Sequence, residues 1–344
     1  MAIYINGIGS LSAQQFSPRQ LDNNFLSIEG NRYSVCEPNY TDLIPPMQLR
    51  RMSKVVRMGI ATAKSALLDA QLEKPDRITL GTAYGCLADT SSFLQKLLTQ
   101  EESMLSPTAF IQSTHNTVSG QIALLLSCYG HNFTFVHRGH SFESSLQEAF
   151  MMLNEAGETP MSILCGGIDE LTPDSFDIMS RFGTYKQNGA QWNDTTSGTV
   201  AGEGANLFVL SNQASALSYA KIDGMHFFSK GDVGTALQQF LEQHQLTPNE
   251  IDICLSGQNS DPRYNTIIAE QLAACQTAPT VPYKMFCGEY PTASAFGLAL
   301  GAHLLFHQQI PSHIQAGATV KPQRILVHAH YKNMFHSFML LSRC

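Results

Sequence analysis

Charge is scarce in this 344-residue chain: Asp, Glu, Lys and Arg make up 14%, against 43% hydrophobic residues. So few charges imply that part of the surface is covered, most simply in an oligomer interface. A formal net charge of −7 lacks the basic footprint of a nucleic-acid binder or of a protein held on an anionic membrane. No stretch reaches the ~18 uninterrupted apolar residues of a membrane span. The opening MAIYINGIGS has neither a basic segment nor a long apolar core, so no secretory leader is expected and the protein is placed in the cytoplasm. None of the eight cysteines is paired at zinc-site spacing, and a domain this large needs no disulfide staples. They read as reduced, buried thiols.

What is present is an alternation of strand and helix patterns. Residues 2–7 alternate and run into Gly-Ile-Gly, a strand with a tight turn. Residues 11–45 are polar and irregular, and residues 46–72 carry apolar side chains at helical steps. Strands are expected at 77–83, 133–136, 161–169 and 205–210, with helices at 90–98 and 144–153. A second series starts near residue 217, with strands at 220–222, 251–255, 281–283, 325–328 and 337–341. Helices are expected there at 233–244, 264–274 and 292–306. Such alternation in both parts of the chain predicts an α/β fold of mixed sheets covered by helices.

Several candidate sites reduce to ordinary structure. Asp169, Glu170 and Asp174 follow a strand and read as caps for the next helix rather than metal ligands. The glycine-rich run 198–205 precedes a strand instead of opening a helix, so it is no phosphate cradle. Ser10, Ser119 and Ser256 lack a G-x-S-x-G frame. The methionines of the first long helix are core filler.

The most informative stretch is 116–149, NTVSGQIALLLSCYGHNFTFVHRGHSFESSLQEA. A helix, a short β-rich run, a sharp bend at Gly139 and a second helix follow one another. This strand–bend–helix resembles the active-site segment of β-ketoacyl synthases, the condensing enzymes of the thiolase fold, whose pattern there is roughly G-P-N-Y-T-V-x-T-A-C-S-S-G. The resemblance extends to YINGIGSLS at 4–12, the helix at 50–70, GTAYG at 81–85, CGGID at 165–169 and AGEGANLFVL at 201–210. It implies a thiolase-like layered αβαβα fold built from two similar halves, 1–215 and 216–344.

The chemistry of that family needs a cysteine thiolate to take the acyl chain. Two histidines decarboxylate the extender and stabilise the enolate. All three positions differ here. Gly139 replaces the cysteine. Ser256, in SGQNSDP, stands where H-G-T-x-T-P begins. Glu289 replaces the histidine of K-x-x-x-G-H, although Lys284 is retained. HAHYKN at 328–333 replaces the glycine-rich F-G-F-G-G-x-N loop and with it the glycines that let such a loop move. Cys287, with His137 and His140, is the candidate substitute for a lost nucleophile. Glu289 beside Lys284 reads as an ion pair or as an acid–base group.

The resemblance then implies a subunit without condensation activity, of the chain-length-factor type. Such subunits pair with an active β-ketoacyl synthase in type II fatty acid, polyketide or aryl-polyene biosynthesis, and self-pairing is the other arrangement. Acyl carrier protein and its acyl thioester are the other implied partners, met by a basic patch of Arg50, Arg51, Lys54 and Arg57. No cofactor and no metal is expected. Residues 133–137 are expected to form the cross-subunit strand and 106–115 to line the acyl tunnel. Phe110, Ile111, Thr114 and Phe133 are its candidate wall. The alternative is an enzyme with altered acyl-thioester chemistry, acyl transfer or decarboxylation.

Overall fold

The computed structural model describes residues 2–14, 19, 25, 28–103, 105–187, 189–275, 278–311, 314 and 321–344. Part of the irregular stretch at 11–45 therefore lies outside the described residues. The strands are β1 (Ile3–Leu11), β2 (Arg32–Tyr33), β3 (Arg77–Gly81), β4 (Asn132–Phe135), β5 (Ser162–Asp169) and β6 (Ala201–Gly202). They continue with β7 (Gly204–Ser211), β8 (Ala220–Ser229), β9 (Ile253–Ser256), β10 (Thr280–Pro282), β11 (Arg324–Tyr331) and β12 (Phe335–Ser342). The helices of the first part are α1 (Pro46–Leu49), α2 (Lys54–Asp69), α3 (Leu87–Thr99), α4 (Pro107–Gln112), α5 (Thr117–Leu125), α6 (Ser141–Ala156) and α7 (Pro173–Arg181). Those of the second are α8 (Val233–Gln243), α9 (Pro262–Gln271), α10 (Lys284–Cys287) and α11 (Ser294–His307).

Ten strands join in one sheet, ordered β10-β9-β11-β12-β8-β1-β7-β5-β3-β4. Its two ends repeat one plan. From β1 outward the pairings to β7 and β5 are antiparallel, then those to β3 and β4 are parallel. From β8 outward the pairings to β12 and β11 are antiparallel, then those to β9 and β10 are parallel. The halves meet where Ile3–Ile5 of β1 pairs with Ala220–Ile222 of β8.

Three hydrophobic cores make the layers. One lies between the half-sheets and holds α6 and α11. The second packs α2 and α5 on the first half, and the third packs α8 and α9 on the second. Every residue of α11 from Ser294 to Leu305 is buried, and its sequence is apolar on all sides, as a helix between two sheets must be. The outer helices carry one apolar stripe each. The tight turn expected at Gly-Ile-Gly is not formed: Gly7, Ile8 and Gly9 stay inside β1, paired with Val209, Phe208 and Leu207 of β7. The glycine at 9 has a packing reason instead, since a Cβ there would lie 2.0 Å from the Thr62 carbonyl oxygen, so β1 and α2 approach closely only without a side chain.

The structure corrects three local expectations. The helix expected over 46–72 is broken between Leu49 and Lys54, leaving the single turn α1 and then α2. The strand expected at 220–222 runs on to Ser229, because β12 pairs along nearly its whole length. Helix α7 is the helix that Asp169, Glu170 and Asp174 were expected to cap, and no bounds were expected for it. Its signal is Thr172-Pro173-Asp174-Ser175, in which Thr172 and Ser175 form a capping box and proline takes the first helical position. No helix among the described residues is long and apolar enough to cross a membrane.

Candidate functional site

Strand β4 leads into a single 3-10 turn, Arg138–His140, and α6 begins directly after it. Arg138 has φ +51°, which makes the bend sharp. The Ser141 hydroxyl fixes it from inside, accepting from the His137 amide at 2.8 Å and donating to the Arg138 carbonyl at 2.8 Å. Gly139 is buried at the apex. A Cβ there would sit 2.5 Å from Tyr331 Cβ and 2.9 Å from Phe335 Cβ. The space that a nucleophilic side chain at this bend would use is already filled.

The filling comes from the β11–β12 hairpin. Tyr331 pairs with Phe335, Lys332 and Asn333 take φ of +55° and +49°, and the Met334 amide donates to the Tyr331 carbonyl at 3.1 Å. Two consecutive left-handed residues suit the right-handed twist of the flanking strands. Where a glycine-rich loop was expected to be replaced, the replacement is therefore a tight hairpin. The Tyr331 hydroxyl lies 3.1 Å from that of Tyr84, and the Phe335 ring meets His140 edge-on at 5.1 Å.

Behind the hairpin lies a buried polar network. Lys284 donates to Glu289 at 2.8 and 3.0 Å and to the His330 carbonyl. Asn259 donates to Glu289 at 2.6 Å. Both ion-pair side chains are nearly inaccessible, at 1% and 2% exposure, so the ion pair expected from the sequence is present and internal. Burial pushes the Glu289 carboxyl above its ordinary value, against the pull of Lys284 and Asn259. Ser256 accepts from the Gln258 amide of its own turn at 3.2 Å. Asn259, three residues further on, is the side chain that links the two altered loops. Sequence reasoning passed over it although it lies in the quoted SGQNSDP run.

Cys287 is fully buried, with its sulfur 3.4 Å from the Gly288 carbonyl oxygen. Burial pushes the thiol well up, away from the thiolate a nucleophile needs. His140 contacts the His336 carbonyl at 3.2 Å through Nε2, and burial lowers it to about 4. Among the described residues no contact joins Cys287 to His137 or His140, whose rings face each other and Phe335.

The remaining candidates fall on the outside or in the scaffold. Phe110 and Ile111 are exposed on α4, and Phe133 is exposed on β4. Thr114 bonds the Thr117 hydroxyl at 3.0 Å. A cavity of about 440 Å³ beside α4 is lined by Arg51, Met52, Asp89, Gln112 and Thr117, not by Phe110 or Ile111. In the basic patch Lys54 is committed to Glu203 and Arg57 lies over the Tyr40 ring, which leaves Arg50 and Arg51 exposed. Asp169 does not cap the following helix. It accepts from the Ala83 amide at 2.8 Å and the Thr292 hydroxyl at 2.8 Å, tying β3, β5 and α11 together, and burial raises it to about 6. Glu170 reaches back to the Ala88 amide at 3.0 Å in the first turn of α3. Among the described residues there is no cluster of three or more His, Cys, Asp or Glu side chains that could hold a metal ion.

Comparison with known families matches residues 29–187 to the β-ketoacyl synthase N-terminal domain. The sequence matches no curated protein. Among solved structures the ketosynthase fold covers all of the chain. A β-ketoacyl synthase from Burkholderia phymatum has a TM-score of 0.83 at 15% identity, with 99% of its own chain covered. The ishigamide ketosynthase/chain length factor has 0.79 at 17% identity, with 99% covered. The ketosynthase ApeO in complex with its chain length factor ApeC, from Xenorhabdus doucetiae, has 0.78 at 15%, with 98% covered. At these identities the likeness establishes the thiolase-like ketosynthase fold.

Two predictions follow from this geometry. Gly139→Cys overpacks the apex and is expected to cost about 1–3 kcal/mol of stability. Peptide mapping after maleimide treatment should find the added thiol unlabelled in the folded protein; rapid labelling at unchanged stability would refute the filled apex. Lys284→Met leaves a buried carboxylate unpaired and should cost about 3–5 kcal/mol, whereas Lys284→Met with Glu289→Leu should recover much of the loss. Denaturant titration of the three proteins distinguishes these outcomes, and equal losses in the single and double variants would contradict the assignment.

Proposed function

We propose that this chain is a non-catalytic, chain-length-factor-type partner of an active β-ketoacyl synthase in type II polyketide, fatty acid or aryl-polyene biosynthesis. The observation that carries the reading is the closed apex. Gly139 supplies no nucleophile, and Tyr331 and Phe335 stand where one would project. Ser256 and Glu289 add no histidine, and Glu289 is already held by Lys284 and Asn259.

The opposite requirement, a surface that needs a partner, is supported at β4. That strand ends the ten-stranded sheet, with one edge unpaired among the described residues. Phe133 on it and Val136 just after it are exposed, as are Leu124 of α5 and Met151 of α6, the two helices that pack on β4. An open edge rimmed by apolar side chains is a liability in a monomer and a template for pairing in a dimer. A ketosynthase with the same fold offers the matching edge, so the joined sheet continues across the subunits. Acyl carrier protein would meet the exposed Arg50 and Arg51 beside this face, and Phe110 and Ile111 of α4 would bound the acyl chain from this side. The alternative of altered acyl-thioester chemistry at Cys287 has less support, because that thiol is buried and its pKa raised.

Native mass spectrometry of the protein, alone and co-expressed with a ketosynthase encoded beside it, tests the pairing. A dominant one-to-one heterodimer is expected, and a homodimer that ignores the ketosynthase would sink the proposal. Val136→Asp, on an exposed position, should leave the fold intact and weaken association at least about tenfold, the scale of one good interface residue. In the reconstituted pair, Phe110→Ala should lengthen the products; unchanged lengths would remove Phe110 from the tunnel wall. A covalent acyl adduct on Cys287 after treatment with a thioester donor would favour the alternative.

A further inference from the structure

The inner face of the β11–β12 hairpin carries three imidazoles. His328, His330 and His336 are all buried, with ring centroids 6.1, 5.9 and 6.0 Å apart and planes within about a third of a right angle of parallel. The Phe228 ring of β8 stacks on His336 at 5.3 Å, and His226 stacks on Phe228. Among the described residues, neither ring nitrogen of His328 has a hydrogen-bond partner. A protonated His328 would bring two N–H donors and a charge into a place with no acceptor.

We propose that the β11–β12 hairpin is an acid-released cap over the Gly139 bend, opened when its stacked histidines take up protons. The inference concerns the closure of the bend and holds whichever partner the chain binds. Its basis is the company those rings keep. From α10, the Lys284 ammonium already donates to the His330 carbonyl. From the bend, His140 touches the His336 carbonyl, with His137 and Arg138 next to it. Lys332 lies at the tip itself, and His226 lies on β8. Two buried carboxyls are tied to the segments around the group. Glu289 is taken by Lys284 and Asn259, and Glu143 of α6 accepts from the Ser337 hydroxyl at 2.8 Å. Glu143 balances at most one added proton, and burial pushes its own pKa up, so it too binds protons as pH falls. A second imidazolium, about 6 Å from the first, has no countercharge. Separation is the relief available to a hairpin whose tip is held over Gly139 by ring contacts and the Tyr84–Tyr331 hydroxyl pair.

The sign follows from burial. His336 is lowered to about 4, and His328 and His330 lie well below the ordinary histidine value. A group whose folded pKa is depressed gives its full stability above its unfolded pKa, about 6.5, and loses it as pH falls toward the folded value. Release therefore begins below about pH 6.5, and the histidines act together.

Hydrogen-exchange mass spectrometry on the intact chain at about pH 7.5 and about pH 5, corrected for intrinsic exchange, tests this. The protection of amides in 328–338 should fall at least about tenfold, while β1, β5 and β7 keep theirs. Protection that stays constant, or falls equally across the sheet, would overturn the proposal. The variant His328→Phe with His336→Phe should keep the hairpin protected at the lower pH. If that protein does not fold, histidine titration of the wild type by NMR takes its place. Coupled titration below about pH 6 in step with hairpin opening supports the cap, and independent ordinary titration near 6.5 overturns it.

Discussion

The contact between the apex of the β4–α6 bend and the tip of the β11–β12 hairpin governs the chemistry open to this fold. It joins the two halves: the bend belongs to the first, the hairpin to the second. Because Gly139 presents no side chain, Tyr331 and Phe335 pack against backbone. Any larger residue at 139 would have to displace the hairpin, and any more open loop at 332–334 would leave a void above the glycine. The two departures from the ketosynthase pattern, at the bend and in the loop, are thus one packing solution seen from both sides.

The buried Lys284–Glu289 pair obeys the same logic. A lysine retained in a closed interior needs a counterion, because an unpaired ammonium there loses its hydration without recompense. Glu289 supplies the counterion, and Asn259 and the His330 carbonyl occupy the remaining hydrogen-bonding positions. The pair adds little net stability over an apolar substitute. Its value is geometric, since it ties the loop after β9, the turn at α10 and the end of β11 together under the hairpin.

The α/β class was legible because it rests on periodicity, and the layered thiolase-like fold because of the resemblance carried by short segments spread along the chain. Strand and helix patterns in both parts pointed to that class, the strand at β5 read as buried, and β7 and α11 read as a strand and a helix. That positions 139, 256 and 289 carry neither cysteine nor histidine was legible too, because that is a statement about residue type. What could not be read was where side chains end up. Asp169 sits where a helix cap would, yet Thr172 takes that role and Asp169 bonds across three segments. Cys287 lies close in sequence to Glu289, but its thiol turns into backbone. The hairpin at 331–335 was invisible because its turn has no glycine: Lys332 and Asn333 adopt left-handed φ without the usual signature.

A closed apex and an open edge then fit together as one design. Within the first half, α6 runs from the sealed bend and packs on β4, and it leaves Met151 exposed to solvent. The same helix that would present a nucleophile inward thus presents an apolar side chain outward. Sealing the bend fixes the start of α6 and the end of β4 rigidly, since Ser141 bonds across the turn and Gly139 is wedged under the hairpin. An edge strand anchored in this way is pre-organised for pairing, and pre-organisation lowers the ordering cost that association must overcome. A mobile catalytic loop would work against that. The closure of the bend and the anchoring of the edge strand therefore follow from the same few contacts.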